Sequence, residues 1–352
     1  MTERGARRAF LLGASVVFLS ACRGDAAPVT LPSLEGLRLD SLFAVGAPTG
    51  EESFGGIWDV EAAPDGRLAV LDLEAPAVRV FDASGALVGS ISATGVAEGT
   101  LDRPSGIAWS RNGELLVWDQ GNSWVSFFSV TDAGVELTAA RRAFAFGETG
   151  FCATPEHVYL SYWQDGQVVH EIGTEGLVRS FSPAPDIPGV ETLGPELQEI
   201  ATEELTPSGL LCTLNGVFEA SYFGSRIRMH DHDGQTLWDR ELDDFNPMSA
   251  YTLDGIGLGR AFDQSDGSHL LRSIVPWGSA VALVQHQLRT SEFSAEGDVE
   301  VFESRLLGLE NGAELGRTRE LPLILAAEGT RLYSVSSDPY PQVVVWEAQG
   351  PQ

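Results

Sequence analysis

Asp65-Gly66-Arg67-Leu68-Ala69-Val70-Leu71-Asp72, followed by Val78-Arg79-Val80-Phe81-Asp82, decides the fold, because the pattern returns 47 residues later. In the second copy Asn112-Gly113 replaces the Asp-Gly turn, residues 115–119 the next strand, and residues 125–129 the strand after it. β-Branched, leucine and aromatic side chains fill the strands, while Gly, Asn, Asp and Ser gather between them, which is hairpin chemistry. A turn at Ala83-Ser84-Gly85 and a fourth strand over 86–92 complete a four-stranded antiparallel meander. A unit that recurs every roughly 40 to 50 residues buries its apolar faces only against copies of itself, so each unit reads as one propeller blade.

Outward from these two copies, a third runs through 158–162, 168–172, a Glu175-Gly176 turn and 177–181. The fourth gives 217–222, 226–230, an Asp233-Gly234 turn and 236–240, and the fifth 270–275, 280–287, 299–307 and 314–319. A sixth has only three strands, 323–327, 331–336 and 343–347. Residues 37–44, ahead of the first full blade, supply a spare strand, which predicts that the ring closes by pairing of the chain ends and so hides its sheet edges. The expected fold is therefore all-β, a six-bladed β-propeller over 37–352 whose last blade is completed by the N-terminal strand. Once insertions at 183–206 and 243–268 are set aside, the length fits about six units of roughly 45 residues, with seven blades the competing number. Residues 195–204, with Pro195 near the start, are the one short helix expected.

Arg4, Arg7 and Arg8 followed by an uncharged, mostly apolar run over 9–18 read as a signal peptide, since ten residues are too few to span a bilayer. The run ends in Leu19-Ser20-Ala21-Cys22, which resembles the lipobox of bacterial lipoproteins; the resemblance implies cleavage after residue 21 and a diacylglycerol on Cys22. Residues 22–36 are then a lipidated flexible tether. Arg7-Arg8-Ala9-Phe10-Leu11 also looks like a twin-arginine motif, which leaves the export route open. From Cys22 onward the chain carries 19 arginines and 49 acidic residues, a net charge of −30, and it has no lysine anywhere. Such a field repels phosphate backbones and excludes nucleic acid as an expected partner.

The blade motif, continued by Arg103-Pro104-Ser105-Gly106-Ile107-Ala108, resembles the NHL-type repeat and the six-bladed β-propeller lipoproteins built from it. The resemblance covers residues 55–130 and fades to pattern beyond them. It implies a fold and an envelope location, and confers no activity. Trp58-Asp59, Trp118-Asp119 and Trp238-Asp239 fall at different places within their blades and do not form WD repeats.

No nucleophile elbow, zinc-protease motif, phosphate loop or dinucleotide fingerprint is present, so no catalytic residue is assigned. Propeller sites draw on several blades around the channel. On that basis Asp59, Arg103, Ser105 and Glu204 are the candidate channel-rim binding residues. His230, His232 and Asp233 are weak metal candidates, because Asp233-Gly234 is also what a hairpin turn requires. Asp263-Gln264-Ser265-Asp266-Gly267 resembles part of a calcium loop without its later ligands. Cys152 and Cys212 fall on the first strands of adjoining blades. An oxidising compartment permits a disulfide between them, but neighbouring innermost strands are expected to lie too far apart, so two buried thiols are favoured.

The expected function is an outer-membrane or periplasmic lipoprotein whose propeller binds or scaffolds a protein, peptide or glycan without catalysis. It would need no cofactor, and the insertions would form the functional face, since long loops on a rigid scaffold carry recognition. The alternative is a lactonase-like hydrolase or lyase holding a divalent cation such as calcium in the channel.

Overall fold

The computed structural model describes residues 33–110, 112–143, 150–154, 156–253, 257–262, 268–289 and 301–350. The leader, Cys22, the tether as far as residue 32 and the Asp263 to Gly267 loop lie outside these residues.

Six four-stranded antiparallel sheets form the blades. Blade 1 runs Ile57–Ala62, Leu68–Asp72, Ala77–Phe81 and Leu87–Ile91 from the innermost strand outward. The innermost strands of blades 2 to 6 are Pro104–Trp109, Gly150–Ala153, Ser208–Cys212, Ser268–Pro276 and Ile324–Glu328. Each approaches the innermost strand of the next blade, and that of blade 6 returns to blade 1, so the ring is closed.

The 47-residue repeat is reproduced atom for atom. Gly66 N–H donates to Ala63 O (2.9 Å) and Gly113 N–H to Ser110 O (3.0 Å), both glycines at positive φ. Asp72, at the end of the second strand, accepts the amides of Gly55 (2.9 Å) and Gly56 (3.0 Å). Asp119 accepts those of Asp102 (2.7 Å) and Arg103 (3.0 Å). These buried carboxylates hold the chain where it turns into the innermost strand, satisfying amides that no ladder can reach.

Apolar packing lies between the blades. One hydrophobic cluster fills each of the six seams: Leu71 and Val78 meet Ile107 and Leu115 between blades 1 and 2, and Phe218 and Met229 meet Leu271 and Val284 between blades 4 and 5. The sheets are buried on both faces, which is why the middle strands of a blade read as continuous apolar runs, such as Leu68–Asp72.

Arg38–Val45 pairs antiparallel with Gln342–Gln349, with Arg38 opposite Gln349 and Val45 opposite Val343. The N-terminal strand thus completes blade 6. Two expectations need correction. Leu34 is not part of a free tether: it is 7% exposed and packs with Trp277 and Leu321 between blades 5 and 6. Val29, Leu31 and Leu34 in a Pro- and Gly-containing stretch follow no strand or helix period that would have singled it out. Cys152 and Cys212 are joined in a disulfide, with Cα atoms 5.4 Å apart, so the preference for free thiols fails. The strands come this close because Gly150 has no side chain; a Cβ there would lie 2.0 Å from Ser208 O.

The helix forms at Pro195–Leu205, with Pro195 in its first turn and Ala201 and Leu205 buried. The second insertion folds as a hairpin of Met248–Leu253 and Gly257–Phe262, which the sequence reading took for irregular loop.

Candidate functional site

In an antiparallel meander the end at which the innermost strands begin also carries the connections between blades and the turns between second and third strands. Both insertions are connections between blades, so they share this face. They are not two separate loops. Leu193, Ala201 and Leu205 of the first meet Ala250 of the second and Phe223 of blade 4 in a small hydrophobic cluster of their own. Ala250 N–H donates to Pro188 O (2.9 Å), and Gly189 sits so near that a Cβ would lie 2.2 Å from Ala250 O. The result is one cap over blade 4. Beneath its edge a cavity of about 200 Å³ is lined by Ile187, Pro188, Phe223, Arg226, Glu241 and Pro247 among others. Arg226 is held there by Asp239 at 2.6 Å, whereas Asp186 and Glu241 at the margin are exposed.

The same face opens on the channel. The innermost strands of blades 1, 2, 5 and 6 each carry a bulge, at Trp58, Ser105, Arg272 and Leu325. A bulge re-aims its extra side chain out of the ladder. Trp58 is 50% exposed and Arg272 is exposed although Leu271 and Ser273 beside it are buried. With both sheet faces packed against other blades, the solvent such side chains reach is that of the channel.

The expected rim residues separate on this frame. Asp59 and Ser105 are on innermost strands, and exposed Arg103 immediately precedes one. Glu204 is exposed near the end of the cap helix, four residues before the innermost strand of blade 4 begins at Ser208. The Asp59 carboxylate is more than a solvated rim group, since it accepts the amide of Ile107 in blade 2 (3.0 Å) and that of Val60 (2.9 Å). Burial pushes its pKa up to about 6 against the pull of those two amides. Glu61 is raised well above the ordinary carboxylate range by burial and then by the charge of Asp59. Trp58 and Arg272 were missed. An arginine interrupting the apolar run Leu270 to Val275 was the available signal.

The metal candidates do not converge. His230 is buried, its Nε2 3.1 Å from Glu219, within a network that includes Ser182 and Arg228. Burial acts to raise the pKa of Glu219, but the bond to His230 and the charge of Arg228 leave it lowered. His232 stacks on His157 with ring centroids 4.9 Å apart, and Asp233 is an exposed turn residue facing Arg179. His232 and Asp233 lie in the turn between third and fourth strands, on the face opposite the cap. Among the described residues no group of three or more His, Cys, Asp or Glu could hold a metal ion.

Fold and site define a six-bladed β-propeller capped over blade 4 on its channel-mouth face. No family model matches the chain, and no curated protein matches it. Among solved structures, a Bacteroides fragilis protein described as exported aligns with a TM-score of 0.52 at 10% identity, over 90% of this chain and 96% of that one. The Cps50 (Swd1) β-propeller domain from Myceliophteria thermophila aligns at 0.49 and 12% identity, over 89% and 100%. BamB from Moraxella catarrhalis aligns at 0.45 and 10% identity, over 90% and 99%. At such identities the likeness concerns the fold alone.

Proposed function

We propose that this chain is an exported, lipid-anchored envelope protein whose propeller is a binding or scaffold module for another macromolecule, without catalysis of its own. The observation that carries the reading is the cap: two insertions, separated in sequence by the whole of blade 4, spend a hydrophobic cluster on making one shaped surface beside the channel mouth. Loops that only connected blades would need no core. The Cys152–Cys212 bond supports export, because disulfides persist in oxidising compartments.

Photo-crosslinking in intact cells tests it. A crosslinking side chain at Asp186 or Glu241, both exposed at the cap, is expected to yield one discrete adduct. The same side chain at Leu214, exposed on the opposite face, is expected to yield none. Equal adducts from the two faces, or none from the cap, would overturn the assignment.

A further inference from the structure

We propose that the neck of the second insertion is an acid-sensitive clasp, in which protonation of His269 and His286 releases residues 243–247 and with them one wall of the cavity under the cap. The insertion leaves blade 4 after Leu242 and returns to the innermost strand of blade 5 at Ser268. Its two ends are tied to each other at one place: Asn246 N–H donates to Nδ1 of His269 (3.0 Å), and His269 N–H donates to Asn246 O (3.1 Å). Beside this tie the ring of Phe245 stacks on His269, with centroids 4.8 Å apart and planes at 25°, and meets the ring of His286 edge-on at 5.1 Å. Pro247, the next residue after the tie, lines the cavity of about 200 Å³. The clasp is a property of the fold, and only its effect on docking rests on the reading of the cap as the binding face.

The tie depends on neutral imidazoles. Because Nδ1 of His269 accepts from Asn246 N–H, the single proton of the neutral ring is on Nε2, which lies 3.6 Å from Glu303 Oε1. A second proton would have to go on Nδ1, where it would face the Asn246 N–H and turn the hydrogen bond into a meeting of two donors. His286 is fully buried, and neither of its ring nitrogens has a hydrogen-bond partner among the described residues, so an imidazolium there would be both unsolvated and unpaired. The surrounding charges do not offset a further cation. Glu303, opposite His286 on the third strand of blade 5, is already in ion pairs with Arg305 and Arg319. Glu314 is taken by Arg305 and Arg317, Asp244 faces Arg317, and Asp243 is exposed and gives its backbone oxygen to Arg305 (2.7 Å). Burial, and after it the charge of Arg305, push the pKa of His286 down to about 3. Burial acts to raise Glu303, but His269, Arg319 and Arg305 leave it lowered, so Glu303 stays a carboxylate while His286 titrates. A depressed histidine binds its proton less tightly in the clasp than when released. The clasp therefore holds fully above the ordinary value near 6.5 and weakens as pH falls from there towards 3. The open fraction rises up to about tenfold per pH unit for each histidine that gains a proton on release.

The test uses the full chain in detergent, with hydrogen exchange followed by mass spectrometry at pH 7 and at pH 4.5, each rate corrected for the intrinsic pH dependence of amide exchange. Residues 243–253 are expected to lose protection roughly tenfold or more in acid, while residues 68–81 and 115–130 in blades 1 and 2 keep theirs. His286→Leu puts an apolar side chain that takes no proton into the buried site. His269→Asn keeps an oxygen acceptor near the place of Nδ1 and removes the titration. Each variant should cut the acid loss about threefold or more, and the double variant should abolish it. Equal protection of residues 243–253 at the two pH values in the parent would overturn the proposal without any variant. So would an equal loss in all six blades, which is acid unfolding of the ring, or an undiminished loss in both variants. Where one variant melts well below the parent, the other variant and the parent's own pH dependence decide. If residues 243–253 respond as expected while the crosslinks at Asp186 and Glu241 fail, the clasp stands and the binding reading falls.

Discussion

At the scale of single residues, the two aspartates that follow tryptophan in blades 1 and 2 show how identical dipeptides acquire different chemistry. Asp119 is buried with its carboxylate filled by the backbone amides of Asp102 and Arg103. Asp59 projects from an innermost strand, bridges to Ile107 and has its pKa raised to about 6, chiefly by burial. A raised carboxylate means that the folded chain binds this proton more tightly than the unfolded chain does. Its contribution is fully present below the unfolded value near 3.8 and is lost as pH rises through about 6. Asp59→Asn keeps an oxygen acceptor and removes the ionisation. The variant should therefore gain on the parent as pH rises from about 4.5 to 7, and losing the Asp59 charge that helps to raise Glu61 acts in the same direction. Taking the difference between the two proteins cancels Glu219 and Glu303, whose lowered values act in the opposite direction at lower pH. Denaturant melts at both pH values check this. A stability difference that does not change with pH would show Asp59 to be ionised as freely in the ring as in the unfolded chain.

At the scale of elements, the N-terminal strand is held in place by seven paired residues and by what its side chains cover. Val45 is 3% exposed in the seam with blade 1, Phe43 lies over Gly85, and Leu37 and Leu39 pack against the cluster that holds Leu34. A chain beginning at residue 46 loses Leu34 and Val45 as buried side chains, worth about 1.5 to 3 kcal/mol each, and leaves Gln342–Gln349 as an open edge. Compared with a chain beginning at residue 33, it should melt markedly lower and aggregate, because total stabilities are only about 5 to 15 kcal/mol. Equal melting temperatures and solubility would mean that the strand does not close the ring. That this strand belongs to blade 6 was legible in the sequence, because the sixth unit ended one strand short. The blades were legible for a similar reason: Asp65-Gly66 and Asn112-Gly113 can be little else than hairpin turns. What was not legible depends on approach between distant segments. Gly150 gave no sign that its strand would come within disulfide distance of Cys212, and the cap's cluster joins Leu205 to Ala250 across blade 4. The bulges that turn Trp58 and Arg272 out of their strands leave no mark in the pattern except one misplaced arginine.

At the scale of the whole molecule, charge and anchoring oppose each other. The chain from Cys22 onward carries a net charge of −30, and such a body is repelled by an anionic membrane surface within a Debye length, about 8 Å at physiological salt. No helix among the described residues is long and apolar enough to cross a membrane. Attachment in the proposed envelope location would then depend on Cys22, and the ten residues from 23 to 32 could span at most about 36 Å if fully extended. A diacylglycerol plus an amide-linked chain on Cys22 would supply the two or more acyl groups that stable anchoring requires, at about 0.8 kcal/mol per buried CH₂. Cys22→Ser removes all of this at once. Label from a radioactive fatty acid should disappear, and the protein should move from the membrane to the soluble fraction at low as well as at high salt, because no electrostatic attraction remains to be screened. The parent should stay with the membrane at both. If the variant keeps its label, Cys22 is not the lipidated residue. If it loses the label but sediments with membranes in high salt, an apolar surface of the ring itself holds it there, and the exposed side chains nearest residue 33 become the first place to look.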